Sequence, residues 1–195
     1  MVKSSSIIFY QDGIFVPDKP VYHDIDVEKF EDIYREFMTY VFRYIYMRVK
    51  NRDLTEELTS QVFEKALTHF HTYKKEKAAP QTWLISIARN TVTDYYRKAS
   101  SKGHVPLEAV SEMESADPLP EDKTENREEL ERLRFCFGGL DQREQELISL
   151  KFAWELNNRN IAPLLSLSES NVGTILYRAI LKLRKCIEDW INGIR

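Results

Sequence analysis

The 195-residue sequence has no apolar run near the ~18 residues that a membrane span requires. Its start, MVKSSSIIFYQDG, lacks the long apolar core and small-residue cleavage site of a secretory signal. A cytoplasmic protein without membrane insertion is therefore expected. Cysteine is almost absent, with Cys136 and Cys186 the only two. Neither sits in a CxxC pair or beside a cluster of ligands. Two buried free thiols are expected rather than a disulfide framework. There is no Walker loop, no dinucleotide fingerprint and no GxSxG. No internal repeat is evident either. His69 and His71 stand two apart, so on a helix they point away from each other, and no third ligand is nearby. Glu56, Glu57 and Glu64 lie among solvated polar residues without a nucleophile or base to work with. No enzyme, metal site or cofactor is expected.

The chain also has little net charge, −3, but the charge is unevenly placed. Residues 103–133 carry 3 Lys+Arg against 10 Asp+Glu, whereas 1–102 carry 16 against 14 and 134–195 carry 9 against 7. Two helical blocks are locally basic. Residues 74–102 hold 7 basic and 2 acidic residues, and 174–185 hold 4 basic and none acidic. Local sign, more than the total, governs contact with phosphates. Two basic blocks separated by an acidic stretch suit one chain gripping one extended polyanion at two places.

The periodicity predicts an all-α chain of two small helical domains joined by an acidic flexible linker. Residues 1–24 form an N-terminal appendage, either a β-hairpin turning at Asp12-Gly13 or disordered. Residues 25–98 carry three helices. The first starts from Asp26 and has a stripe from Phe30 to Ile45; the second runs from about Leu54 to Phe70, and the third from Gln81 to Lys98. Residues 99–125 lose the periodicity and gain three prolines, so they read as the linker. Residues 126–195 begin with a helix bearing Leu130, Leu133 and Phe137 that ends at Gly138-Gly139. A helix capped by Asp141 follows, with Leu147, Ile148 and Phe152 inward. A short helix from Asn158 to Leu165, a turn at Ser166-Leu167 and a long helix from Glu169 complete a helix-turn-helix pattern.

In that pattern Ser168 is the expected N-cap. Ser170, Asn171 and Thr174 then face outward, as at the end of a recognition helix that enters a major groove. Arg178, Lys182 and Lys185 lie further along, placed for phosphates. In the Trp83–Lys98 helix, Arg89, Asn90 and Arg97 fall on the exposed side, and the preceding loop adds Tyr73, Lys74 and Lys75. Aromatics beside cations suit opened, single-stranded nucleic acid, because bases stack while cations meet phosphates. The plainer alternative for both blocks is a solvated basic face on an ordinary helical bundle.

In their order, spacing and motifs these segments resemble a bacterial RNA polymerase sigma factor of the sigma-70 superfamily, in its extracytoplasmic-function group. LTEELTSQVFEKAL is similar to the family's region-two helix that docks on the polymerase clamp. WLISIARNTVTDYYRK is similar to the segment that melts and reads the −10 element. LDQREQELISLKF and IAPLLSLSESNVGTILYRAILKLRK resemble region four, which reads the −35 element. The departures are Leu54 and Ser60, where Asp and Gln are usual, Asn160, where an acidic residue is usual, and Pro163 inside the first helix of the pair, which requires that helix to be short or to start late.

The resemblance implies a region-two-like bundle of three to four helices and a region-four-like domain of four helices. It implies a transcription initiation factor whose partners are core RNA polymerase, promoter DNA and, as a further candidate, an anti-sigma factor. Glu56, Glu57, Gln61 and Glu64 would face the polymerase. The alternative is a helix-turn-helix regulator that binds DNA without polymerase.

Overall fold

Apolar residues at three- and four-residue spacing build α1, Val27–Val49; of its expected stripe Phe30, Ile33, Phe37, Val41, Tyr44 and Ile45 are buried and Tyr40 is half-buried. The computed structural model describes residues 9–10, 13–14, 27–74, 76–101 and 127–193. Lys50 ends α1 with a left-handed φ of 55°. Asn51 then caps α2, Arg52–His69, by accepting from the Leu54 amide at 2.9 Å. The cap lies inside Asn51-Arg52-Asp53, expected only as a break, so α2 starts two residues earlier than Leu54. A 3-10 turn, Phe70–Thr72, follows.

Pro80 occupies the first position of α3, Pro80–Ser101, where its missing N–H costs nothing. The helix continues three residues into the segment expected as linker; residues 102–126 lie outside the described residues. α1, α2 and α3 pack on one another around Leu58, Val62, Phe63, Leu84 and Val92. At the N-terminus, two-residue strands β1, Phe9–Tyr10, and β2, Gly13–Ile14, pair antiparallel with Phe9 opposite Ile14 and Tyr10 opposite Gly13. Gly13 thus belongs to the second strand and not to the turn. Residues 1–8, 11–12 and 15–26, including Asp24 and Asp26, the alternative caps expected for the first helix, lie outside the described residues.

The second half begins with α4, Arg127–Gly138. Asp141 caps α5, Gln142–Phe152, in a reciprocal box with Glu144. α6, Asn158–Leu164, is capped by Asn157 and holds Pro163 in its last turn. The helix has only seven residues, which is how the proline is accommodated. Ser166, at φ 54°, takes the left-handed position, and the Leu167 amide closes the end on the Ala162 carbonyl at 2.9 Å. α7, Glu169–Ile191, then starts from the Ser168 cap. A Cβ at Gly173 would lie 3.4 Å from Asn158 Nδ2, a measure of how closely α6 approaches α7.

Three expectations are corrected. The cysteines are not free thiols: Cys136 on α4 and Cys186 on α7 form a disulfide, because α4 lies along α7 and brings their Cα atoms to 5.7 Å. Fifty residues separate the two, and their sequence contains no sign of that helix pairing. Leu133 and Phe152, expected inward, are 44% and 57% exposed. They border an apolar groove of about 520 Å³ between α1, α4, α5 and α7 that no helix of the described residues fills.

The two halves also touch. Trp154, in the loop after α5, is fully buried; its ring stacks on Tyr40 of α1 at 5.9 Å and lies 6.3 Å from Phe37. Buried side chains of both halves form one continuous apolar cluster.

Candidate nucleic-acid and polymerase interface

The end of α7 is built by its cap. Ser168 Oγ accepts from the Asn171 amide at 3.2 Å, leaving the other first-turn donors pointing outward. Val172, Leu176 and Ala179 are buried against α5 and α6. That fixes the opposite face: Ser170, Asn171, Thr174, Arg178, Lys182 and Lys185 are all exposed. Thr174 donates to the Ser170 carbonyl at 3.0 Å. Lys182 is not idle. Its ammonium meets the buried Glu144 carboxylate at 2.6 Å, the same side chain that completes the α5 cap.

The first basic block is split by the fold. Asn90 and Arg97 are exposed on α3, with Arg97 on Asp94 at 2.9 Å. Arg89 instead turns to the other half. Its Nε donates to Glu146 on α5 at 2.7 Å and its terminal nitrogen donates to the Leu164 carbonyl at 2.6 Å. Lys74 is exposed, and Lys75 lies outside the described residues. Tyr73 is half-buried, its ring 4.8 Å from Trp83 and stacked on Phe70 at 5.9 Å, and its hydroxyl donates to the Ala78 carbonyl at 3.0 Å. Burial, then the Glu76 carboxylate, raises the Tyr73 hydroxyl above its usual pKa. Phe70, Tyr73 and Trp83 make an aromatic shelf at the foot of α3.

On α2, Glu56, Glu57 and Glu64 are exposed and Gln61 is half-buried. Gln61 donates to Glu57 at 3.0 Å and Arg52 to Glu56 at 3.1 Å. These four residues share the face of α2 turned away from Leu58, Val62 and Phe63. His69 and His71 are both exposed, and His69 Nδ1 lies 2.8 Å from the Lys65 carbonyl.

Sequence reasoning missed the polar contact between the halves. Glu146, 15% exposed, gathers Arg89, the Tyr44 hydroxyl at 3.1 Å and Arg48 at 3.7 Å. Arg48 also donates to the Gln142 carbonyl at 3.1 Å, and Gln81 donates to the Trp154 carbonyl at 3.2 Å. Tyr44 is fully buried; burial first, and the Glu146 carboxylate next, push its pKa well above the ordinary value. It therefore donates to Glu146 as a neutral phenol. The available signal was weak: a lone tryptophan in the loop KFAWELNN and an acid inside an otherwise regular helix.

Residues 33–102 match the family described as Sigma-70 region 2. The chain is 27% identical over 163 residues to the ECF RNA polymerase sigma factor SigM of Bacillus subtilis, covering 83% of this chain and 97% of that protein. It is 27% identical over 164 residues to the ECF RNA polymerase sigma factor BldN of Streptomyces coelicolor, covering 84% of this chain and 62% of that longer protein. Its fold is that of the sigma factor RpoE from Bartonella quintana, solved with the anti-sigma factor NepR. The TM-score is 0.68 at 17% identity, over 83% of this chain and 98% of that one.

An all-α fold containing a match to sigma-70 region 2, with these relatives, points to one class: the chain is similar to transcription initiation factors of the sigma type. Within that class the chain is a relative of the extracytoplasmic-function sigma factors.

Proposed function

We propose that the chain brings core RNA polymerase to specific promoters, reading and melting the −10 element with α3 and its preceding loop and reading the −35 element with α7. The observation that carries this is the α7 face: a capped helix start exposing Ser170, Asn171 and Thr174 beside Arg178, on a helix-turn-helix. At the −10 element, the candidate contacts are Asn90 and Arg97, exposed along α3, and Lys74, next in sequence to Tyr73 of the aromatic shelf. Such a surface offsets the few kcal/mol that unstacking a base costs. The exposed carboxylates Glu56, Glu57 and Glu64, with Gln61, are assigned to the polymerase. An anti-sigma factor is the third partner type, as NepR is for RpoE of B. quintana.

Promoter binding requires the halves to part. The two elements are ~25 base pairs apart, or about 85 Å at 3.4 Å per base pair. A packed chain of this length has a radius of gyration of about 16 Å. Residues 102–126 supply 25 residues, enough chain for a fully extended reach of about 85 Å. The contact itself suits a reversible closure, because it leaves the buried Trp154 Nε1 and Arg48 Nε without a hydrogen-bond partner among the described residues.

The test is run-off transcription from a genomic promoter library with core polymerase. Start sites sharing −35 and −10 sequences are expected only when the chain is added. No initiation, together with tight sequence-specific binding by the isolated chain, would favour the polymerase-independent regulator instead.

A further inference from the structure

Cysteine is rare here, yet the fold brings both cysteines together across α4 and α7. The two residues differ in exposure: Cys136 is buried and Cys186 half-buried. Cys186 is thus the more exposed partner for exchange, and Cys136 lies beside it to resolve the mixed disulfide.

Apart from that bond, α4 rests mainly on one partner, α7. α4 has 12 residues, a length marginal for an isolated helix. Its buried apolar side chains are Cys136 and Phe137 only, while Leu133 and Phe135 are 44% and 49% exposed. Phe135 meets Trp190 of α7 edge-on at 5.1 Å. Few buried contacts are the mark of an element that opens locally at low cost. The other side of α4 faces the first half. The Arg134 guanidinium lies 5.5 Å from the Tyr46 ring, and the Lys50 ammonium lies 5.6 Å from the Phe137 ring. Gly138 is so near that a Cβ there would lie 2.9 Å from Lys50 Nζ. Pinning α4 to α7 therefore also places it against α1.

We propose that Cys136 and Cys186 are a reversible thiol–disulfide modification site: oxidation docks α4 on α7 and favours the closed arrangement of the halves, and reduction releases it. The role in transcription rests on the proposed function. A protein that works on RNA polymerase works where thiol systems keep cysteines reduced, so a disulfide there is regulatory rather than architectural. The oxidant is a low-molecular-weight disulfide such as glutathione disulfide. The Cys186 thiolate attacks one of its sulfurs and expels one thiolate. The Cys136 thiolate then attacks the Cys186 sulfur of the mixed disulfide and expels the second small-molecule thiolate. Two electrons pass to the small disulfide, and the two protons from the cysteine thiols end on the two small thiols released.

The full-length chain is equilibrated in reduced and in oxidised glutathione, acid-quenched, alkylated and weighed. Hydrogen–deuterium exchange and run-off transcription are read on matched samples. Expected are the joint loss of two alkylatable thiols on oxidation, at least tenfold faster amide exchange over Arg127–Gly138 in the dithiol form, and no change in α2. Run-off yield is expected to be at least threefold higher in the dithiol form, and the C136S/C186S variant is expected to ignore the redox buffer. Thiols that stay free in oxidised glutathione, a bond that survives reduced glutathione, or α4 exchange equal in both forms would each overturn the proposal. So would equal transcription from both forms. If α4 responds but neither form initiates, the proposed function fails while the site itself stands.

Discussion

Lys50 carries two local costs. It closes α1 in the left-handed region, at φ 55°, where a side chain is strained. Its ammonium is also half-buried with no carboxylate partner among the described residues. Burial first, and the Arg48 charge next, lower its pKa. Glycine removes the strain and the charge, and the cation–π contact with Phe137 that is lost is smaller than the two together. Lys50→Gly is expected to raise the melting temperature by about 2–4 °C. Lys50→Ala, which keeps the strained backbone, is expected to gain less. Calorimetry of both variants checks the order.

Tyr44 makes a different residue-scale statement. Its pKa is raised well above 10.0 in the folded chain. Its stabilising contribution is therefore full below pH 10 and is lost as pH rises through the folded-state value, since the unfolded chain loses that proton first. Lys50, with its lowered pKa, runs the other way below 10.5, but Tyr34, Tyr73 and Tyr96 are raised like Tyr44. Urea melts between pH 9 and 11 are expected to show stability falling in the wild type and falling less steeply in Tyr44→Phe.

At the scale of elements, the caps set where helices begin and hence which side chains face out. Ser168→Ala removes the bond to the Asn171 amide and is expected to cost about 1 kcal/mol in urea melts. The same variant is expected to weaken −35 recognition more than −10 melting. Much at this scale was legible in the sequence. Apolar spacing located α1, α2, α3 and α7, and Asp141 and Ser168 marked two helix starts. Pro163 correctly required a short α6. Periodicity fails where a helix face meets a groove instead of a core. Leu133 and Phe152 look inward by spacing, yet both stand at the groove rim because no element among the described residues covers them. The disulfide was illegible for a related reason. Which helix lies along α7 is a tertiary fact, and 50 intervening residues hide it.

At the scale of the whole molecule, pattern alone treated the two halves as independent and gave Arg89 to nucleic acid. The fold gives Arg89, for now, to Glu146 and the Leu164 carbonyl. One carboxylate thus holds residues of α1 and α3 to α5, a convergence across 57 to 102 positions that no local pattern encodes. Glu146→Gln keeps the shape and removes the charge. It is expected to lower stability by about 1–3 kcal/mol and to increase the radius of gyration in small-angle scattering. An unchanged radius would mean that the contacts independent of that charge, Trp154 packing among them, hold the halves together.

The central claim is that one chain, carried by polymerase, engages one promoter at two separated places. The direct measurement is a footprint of the chain on a promoter, with and without core polymerase, combining backbone protection with permanganate reactivity of unpaired thymines. The expected result is protection near −35 together with reactive thymines near −10, on the same DNA, only when core polymerase is present. Protection at a single site by the isolated chain, unaltered by polymerase, would contradict it.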